Sequence, residues 1–308
     1  MSSMQWLGIG SGFLTAILMA CSYLASGWAI RRTPELNALT LLANAFVWMG
    51  LFSVAGLALT WRPELLHAGF WHRLWPVFGA LFFYSVAQGL MFWAQRKVDA
   101  SLLVPLMGLK LPMLLLLNLL LFQAHFSWLQ IIAVALTVLS AFLLNRTSRE
   151  LTLAGLALVT GCCLLFSLSD ICLKREIDLL QAELGYSPTL AAMHCTFLNY
   201  LTAGVLGVAV LACNRRIRAR RPLLRSLPYG VFWIVSIVFL NLCFAILGTV
   251  NGNIIQSTRG IFSILFAPIL AACGMTYLER KVSWGIIARR LVAACLMVAA
   301  IFLYNFQR

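Results

Sequence analysis

Three ionisable side chains interrupt otherwise apolar stretches of this 308-residue chain: Lys110, Asp170 and Arg259. Lys110 is the tenth residue of an apolar run over 101 to 122. At the helical rise it lies about 15 Å from either end of a span, too deep for its head to reach water by stretching. A charge at that depth needs a counter-ion, a wet cavity or a ligand. Lys110 is therefore read either as a substrate or coupling site for a carboxylate or phosphate, or as half of a buried pair that serves folding. Arg259, five residues into the run 254 to 278, and Asp170, late in the run 151 to 173, come out at similar depths on one side. The two are placed to meet, as a structural bridge or as a gate, unless Asp170 takes Lys174 one turn away. Asp170 is the one carboxylate inside a predicted span that is open to proton coupling.

A second tier is polar but uncharged. Tyr84 and Gln88 are one helical turn apart and share a face at mid-span, while Tyr23 falls on the first run and Asn241 on the eighth. With Lys110 and Arg259 they make up the predicted substrate-binding set. Ser26, Ser167, Gln256 and Thr258 are weaker candidates, while Trp28 and Trp93 sit at span ends where aromatic side chains form an interfacial belt. Arg289 and Arg290 are close enough to their span end to reach the headgroups, and Glu279 adjoins Arg280 and Lys281. No phosphate-cradling GxxxxGKS loop, HExxH helix or Ser/His/Asp arrangement occurs. The chain is therefore expected to be no enzyme, to use no cofactor and to draw its energy from a gradient or from exchange. Its nine cysteines fall in or beside apolar runs without metal-ligand spacing, its four histidines are scattered, and no metal site is predicted.

The elements that must position these residues are membrane spans. The chain is 62% apolar and 10% charged, against about 25% charged in soluble domains. Ten apolar runs are bounded by charge, Pro or polar residues: 6 to 30, 36 to 60, 74 to 95, 101 to 122, 127 to 145, 151 to 173, 189 to 213, 227 to 248, 254 to 278 and 284 to 305. Each is long enough to cross a bilayer as a helix. Short connections such as RRTPE, RKVDA, TVNGN and ERKVS make successive helices antiparallel neighbours. The longer stretch KREIDLLQAELGYSP, 174 to 188, has the apolar spacing of a short interfacial helix. The first run lacks the basic start and small-residue cleavage site of a signal peptide and is read as a first span.

The net charge of +14 sorts by side. Counting Lys and Arg on alternate loops gives fourteen on one face, six of them in 214 to 226, and five on the other. The excess is an orientation signal that puts both termini outside, rather than a nucleic-acid footprint. The expected partners are the lipid bilayer and a small-molecule or amphipathic anionic substrate. The pattern carries no sign of oligomeric state, and a monomer suffices for it.

Laying 101 to 128 over 257 to 284 pairs Ser101 with Ser257, Pro112 with Pro268, Ser127 with Ser283 and Trp128 with Trp284. This divides the chain into a five-helix repeat over 1–149 and a second over 150–308. Because five is odd, the second enters the membrane inverted. Pro112 and Pro268 are predicted to kink their helices near mid-span, and Gly8 and Gly12 form a GxxxG for close helix packing. The predicted fold is an all-α polytopic membrane protein of ten transmembrane helices in two inverted repeats.

The segments SLLVPLMGLKLPMLLLLNLLLFQAHFSWLQIIAVALTVLSAFLLN and STRGIFSILFAPILAACGMTYLERKVSWGIIARRLVAACLMVAAIFLYN resemble the ends of the two halves of the drug/metabolite transporter superfamily, in its EamA-like branch. The matching features are the mid-helix Pro, the acidic residue closing a penultimate helix at Glu279, replaced by Gln123 in the first half, and the Ser-containing turn that follows. The resemblance implies a secondary transporter in the plasma (inner) membrane of a bacterium. It also implies a cavity between the first, third and fourth helices of each half. A flippase or exporter of an amphipathic, lipid-linked or drug substrate is the alternative within that class. A non-transporting scaffold subunit, with no midplane cavity, is the alternative outside it.

Overall fold

Apolar runs become helices in lipid because a helix satisfies its backbone donors and acceptors within itself. The computed structural model describes residues 3–33, 36–62, 70–95, 106–123, 127–146, 153–213, 220–260, 262, 265–266 and 284–305. Among the described residues there are ten α-helices and no strand. They are α1 (Ser3–Arg32), α2 (Ala38–Thr60), α3 (Phe70–Gln95), α4 (Lys110–Phe122), α5 (Trp128–Arg146), α6 (Leu153–Leu184), α7 (Pro188–Cys213), α8 (Arg220–Leu247), α9 (Thr249–Ser257) and α10 (Trp284–Asn305). Six of them (α1, α2, α3, α6, α7 and α8) contain stretches long and apolar enough to cross a membrane. The molecule is an all-α polytopic membrane protein.

Local sequence sets the boundaries. Asn37 caps α2 by accepting from the Thr40 amide at 2.7 Å. Ser127 and Gln130 cap α5 reciprocally, the Ser127 amide donating to Gln130 Oε1 at 2.8 Å. Gln123 ends α4 in the left-handed region, at φ 49°. Gly248, at φ +83°, turns the chain sharply between α8 and α9.

Three predicted boundaries move. The stretch 174 to 188 is no separate interfacial helix: α6 runs unbroken to Leu184, because no breaker occurs before Gly185 at φ +61° and because Ile177 and Leu180 are buried in the core. TVNGN is no loop, since α9 begins at Thr249 directly after the Gly248 turn. The third change concerns Pro112, which stands in the first turn of α4 rather than at the middle of a continuous helix. The tight turn lies just upstream, a 3₁₀ segment over Met107–Leu109. Pro112 has no N–H for the Gly108 carbonyl and its ring crowds it, which favours the tighter turn there. Pro268, Glu279 and Cys273 lie outside the described residues.

The helices pair in a regular way: α1 packs on α8, α2 on α7, α3 on α6 and α5 on α10, with α4 set against α6 and α9 against α1 and α8. The α2–α7 crossing is close because it is glycine-lined. A Cβ on Gly50 would come within 2.6 Å of the Gly204 Cα. The GxxxG of α1 packs as predicted, Gly8 against Leu247 and Gly12 against Ile255 and Cys243. Large apolar side chains such as Leu51, Val54, Val205 and Val208 face outward. Trp128 and Trp284, at 80% and 85% exposure, stand at the starts of α5 and α10 like members of an interfacial belt.

Candidate functional site

Between the paired helices lies a narrow cavity. Tyr23 from α1, Tyr84 from α3, Lys110 from α4, Asp170 from α6, Asn241 from α8 and Arg259 just beyond α9 all line it. Gln88 does not. One turn carries it about 6 Å along α3 from Tyr84, where its amide is fully buried with neither atom hydrogen-bonded. The face predicted for the pair therefore brings only Tyr84 to the cavity.

The charges are arranged as a pair and a single cation. Lys110 Nζ lies 2.6 Å from Asp170 Oδ2, and Asn253 Nδ2 donates to the same oxygen at 2.6 Å. Neither partner predicted for Asp170 takes it: Lys174 reaches forward to Asp178, and Arg259 has no carboxylate within ion-pair distance among the described residues. The reason is positional. Lys110 opens α4 where α4 packs on α6, so its head meets Asp170 directly. That junction is tied further by Ser167, whose hydroxyl donates to the Lys110 carbonyl at 3.2 Å, and by the Cys163 thiol, 3.9 Å from the Met107 carbonyl.

Arg259 is 4% exposed. Its Nη1 donates to the Met19 sulfur at 3.4 Å, its guanidinium carbon stands 5.6 Å over the Tyr23 ring, and its Nε has no partner. A thioether and an aromatic face are weak partners for a guanidinium. Two cations and one carboxylate thus face the cavity, leaving one positive charge without a counter-charge among the described residues.

The rest of the wall is mostly apolar, aliphatic and aromatic, with a few amide and hydroxyl side chains. Tyr84 packs against Phe46, Phe166, Tyr200 and Trp233 with ring centroids 5.7 to 6.0 Å apart, and Trp233 Nε1 donates to the Tyr200 hydroxyl at 2.6 Å. Asn241 Nδ2 donates to Thr196 Oγ1 at 2.9 Å while its Oδ1 is buried without a partner. Gln256, Asn199, Thr196 and Ser169 add to the polar lining.

Sequence reasoning passed over Asn253 and Glu176. Asn253 belongs to the TVNGN stretch read as a connection, and Glu176 to the stretch read as interfacial. Both are buried once α9 and α6 are extended through them. Gly248 and Gly185, the real breakers, were the available signals.

The family model for EamA-like transporters matches residues 6–146. Over this stretch the chain is similar to the EamA-like transporter family. The match takes in α1 through α5, and so Tyr23, Tyr84 and Lys110 of the cavity wall. A family of this kind comprises membrane transporters of small molecules rather than enzymes. No curated protein matches the chain. In fold, the chain is similar to a crystal structure of a protein with a TM-score of 0.61 at 15% identity, covering 99% of this chain and 98% of that one. The EamA-like match thus covers the first half in sequence, and the likeness of fold extends over the whole length.

Proposed function

We propose that this chain is a secondary transporter that carries a small polar metabolite bearing a carboxylate or phosphate across the membrane by alternating access. The observation that carries the reading is Arg259: a buried guanidinium on the cavity wall with no carboxylate beside it among the described residues. A buried unpaired charge is costly, and an anionic ligand entering the cavity supplies what is missing. Arginine presents a planar fork suited to carboxylate and phosphate. Asn241, Gln256 and Tyr23 are placed to orient the rest of the ligand.

Lys110, Asp170 and Asn253 act in this reading as a latch, because their contacts tie together α4, α6 and α9. An anion that drew Lys110 from Asp170 would loosen the three helices together, which is how binding becomes movement. Support for alternating access comes from the helix pairing. The first, second and third helices pack on the third, second and first of the following five, and the fifth packs on the fifth. That is the relation expected of repeats over 1–149 and 150–308 that exchange roles. The fourteen-to-five charge asymmetry favours both termini outside, in a bacterial inner membrane.

The rings around Tyr84, with Phe166 5.7 Å from Lys110 Nζ, favour an amphipathic anion as a second reading, that of an exporter or flippase. The cavity itself favours either transport reading over a scaffold subunit. The test is uptake into proteoliposomes of radiolabelled lactate, citrate, benzoate and glycerol phosphate, against uncharged analogues of each. The reading expects at least one anion to move and its uncharged analogue not to. Preference for the apolar anion favours the second reading, and movement of neutral compounds alone overturns both.

A further inference from the structure

Glu176 lies six residues beyond Asp170 on α6 and is 3% exposed. Nothing in the transport reading uses it. One carboxyl oxygen, Oε2, receives Asn199 Nδ2 at 2.5 Å, and the same Nδ2 donates to the Cys195 carbonyl at 2.8 Å, which fixes which way the amide faces. The other oxygen, Oε1, has no donor, and Asn199 Oδ1 has none either. No cation lies within ion-pair distance of Glu176 among the described residues. Two buried acceptors without a donor, on two side chains already joined, are what a carboxyl bearing a proton would explain, since the neutral acid adds the missing O–H.

Among the described residues the surroundings offer no cation, and only the weak S–H donor of Cys195 beside the Asn199 amide, to balance a negative charge. From α7, the Cys195 thiol lies against the carboxyl, and His194 beside it turns onto the Tyr186 ring. On its own helix Cys172 is the near titratable group, Lys174 pairs with Asp178, and Arg175 is exposed. From the other helices packed on α6, Lys110 of α4 is engaged by Asp170, and α9 brings no charged side chain.

Asn199 has a second role: it also lines the cavity. We infer that Glu176 is a proton-binding site coupled to the anion cavity through Asn199, so that proton and anion bind together and cross in the same direction. This rests on the transport reading. The step is a simple protonation, carboxylate plus proton giving carboxylic acid, with no other reactant. With Glu176 neutral, the cavity keeps the uncompensated charge of Arg259 and attracts an anion. With Glu176 ionised, a negative charge one side chain behind Asn199 cancels part of that attraction. Linkage is reciprocal, so a bound anion must equally favour the proton.

The first arm of the test needs no ligand. Infrared spectra of the full chain in liposomes, recorded from acid to alkaline buffer, should show a protonated-carboxyl band that is absent in Glu176→Gln and retained in Asp170→Asn. Asn199→Ala should shift the band by removing its hydrogen-bond donor, which provides a readout if Glu176→Gln does not fold. The second arm uses liposomes with an entrapped pH dye and the four anions named above. Uptake should acidify the lumen in the wild type and leave its pH unchanged in Glu176→Gln, and apparent anion affinity should rise about 5- to 150-fold in acid only in the wild type. A carboxyl band that survives Glu176→Gln, a band unmoved in Asn199→Ala, or equal lumenal acidification in both proteins overturns the inference. If none of the anions moves, the transport reading fails, while the infrared arm still decides whether Glu176 holds a proton.

Discussion

Lys110 Nζ stands 2.6 Å from Asp170 Oδ2 across the α4–α6 contact, and both side chains are buried. Breaking a buried pair by removing one partner leaves the other charge stranded, at a cost of about 3–5 kcal/mol. Lys110→Met and Asp170→Leu should each lower the unfolding midpoint of the purified protein substantially. The double variant should recover most of the loss. A thermal or denaturant melt of the three proteins reads this directly, and a double variant as unstable as the sum of the singles would contradict it.

Asn253 holds the same carboxylate oxygen from α9. Asn253→Ala removes one hydrogen bond to a charged group, worth about 1.5–3 kcal/mol, and leaves the ion pair in place. It should destabilise the protein less than either single charge variant in the same melt, and it should slow transport by loosening α9 from α6.

Gly50 and Gly204 set the spacing of α2 and α7. A methyl group on either would come within 2.6 Å of the other's Cα, a backbone atom that cannot swing away. Gly50→Ala and Gly204→Ala should each cost about 1–3 kcal/mol by overpacking. Gly10→Ala, where a methyl group meets nothing within 4 Å, should be near neutral. Melting curves of the three variants check the contrast.

Much of the architecture was legible in the sequence because hydrocarbon permits few alternatives. Runs of twenty apolar residues become helices, and Gly8 and Gly12 mark a close packing face. The errors fell where a polar stretch was taken for an interface or a turn. KREIDLLQAELG and TVNGN are polar, yet Glu176 and Asn253 are buried because neighbouring helices supply Asn199 and Asp170 to meet them. Such partners come from 23 and 83 residues away and leave no local signature. The same holds for the pairing of Asp170. Depth along the span brought Lys110, Asp170 and Arg259 forward as candidates, but which two meet depends on how α4 packs on α6.

Arg259 carries the central claim, that the cavity selects for negative charge. The most direct measurement compares proteoliposome uptake of benzoate and of benzamide, and of the other anions and their uncharged analogues, by the wild type, Arg259→Lys and Arg259→Gln. Loss of a charge-assisted contact should reduce apparent anion affinity about 10- to 100-fold in Arg259→Gln, with Arg259→Lys in between, and should erase the preference for anion over analogue. Uptake of the anion by Arg259→Gln at the wild-type level, with the preference intact, would contradict the account.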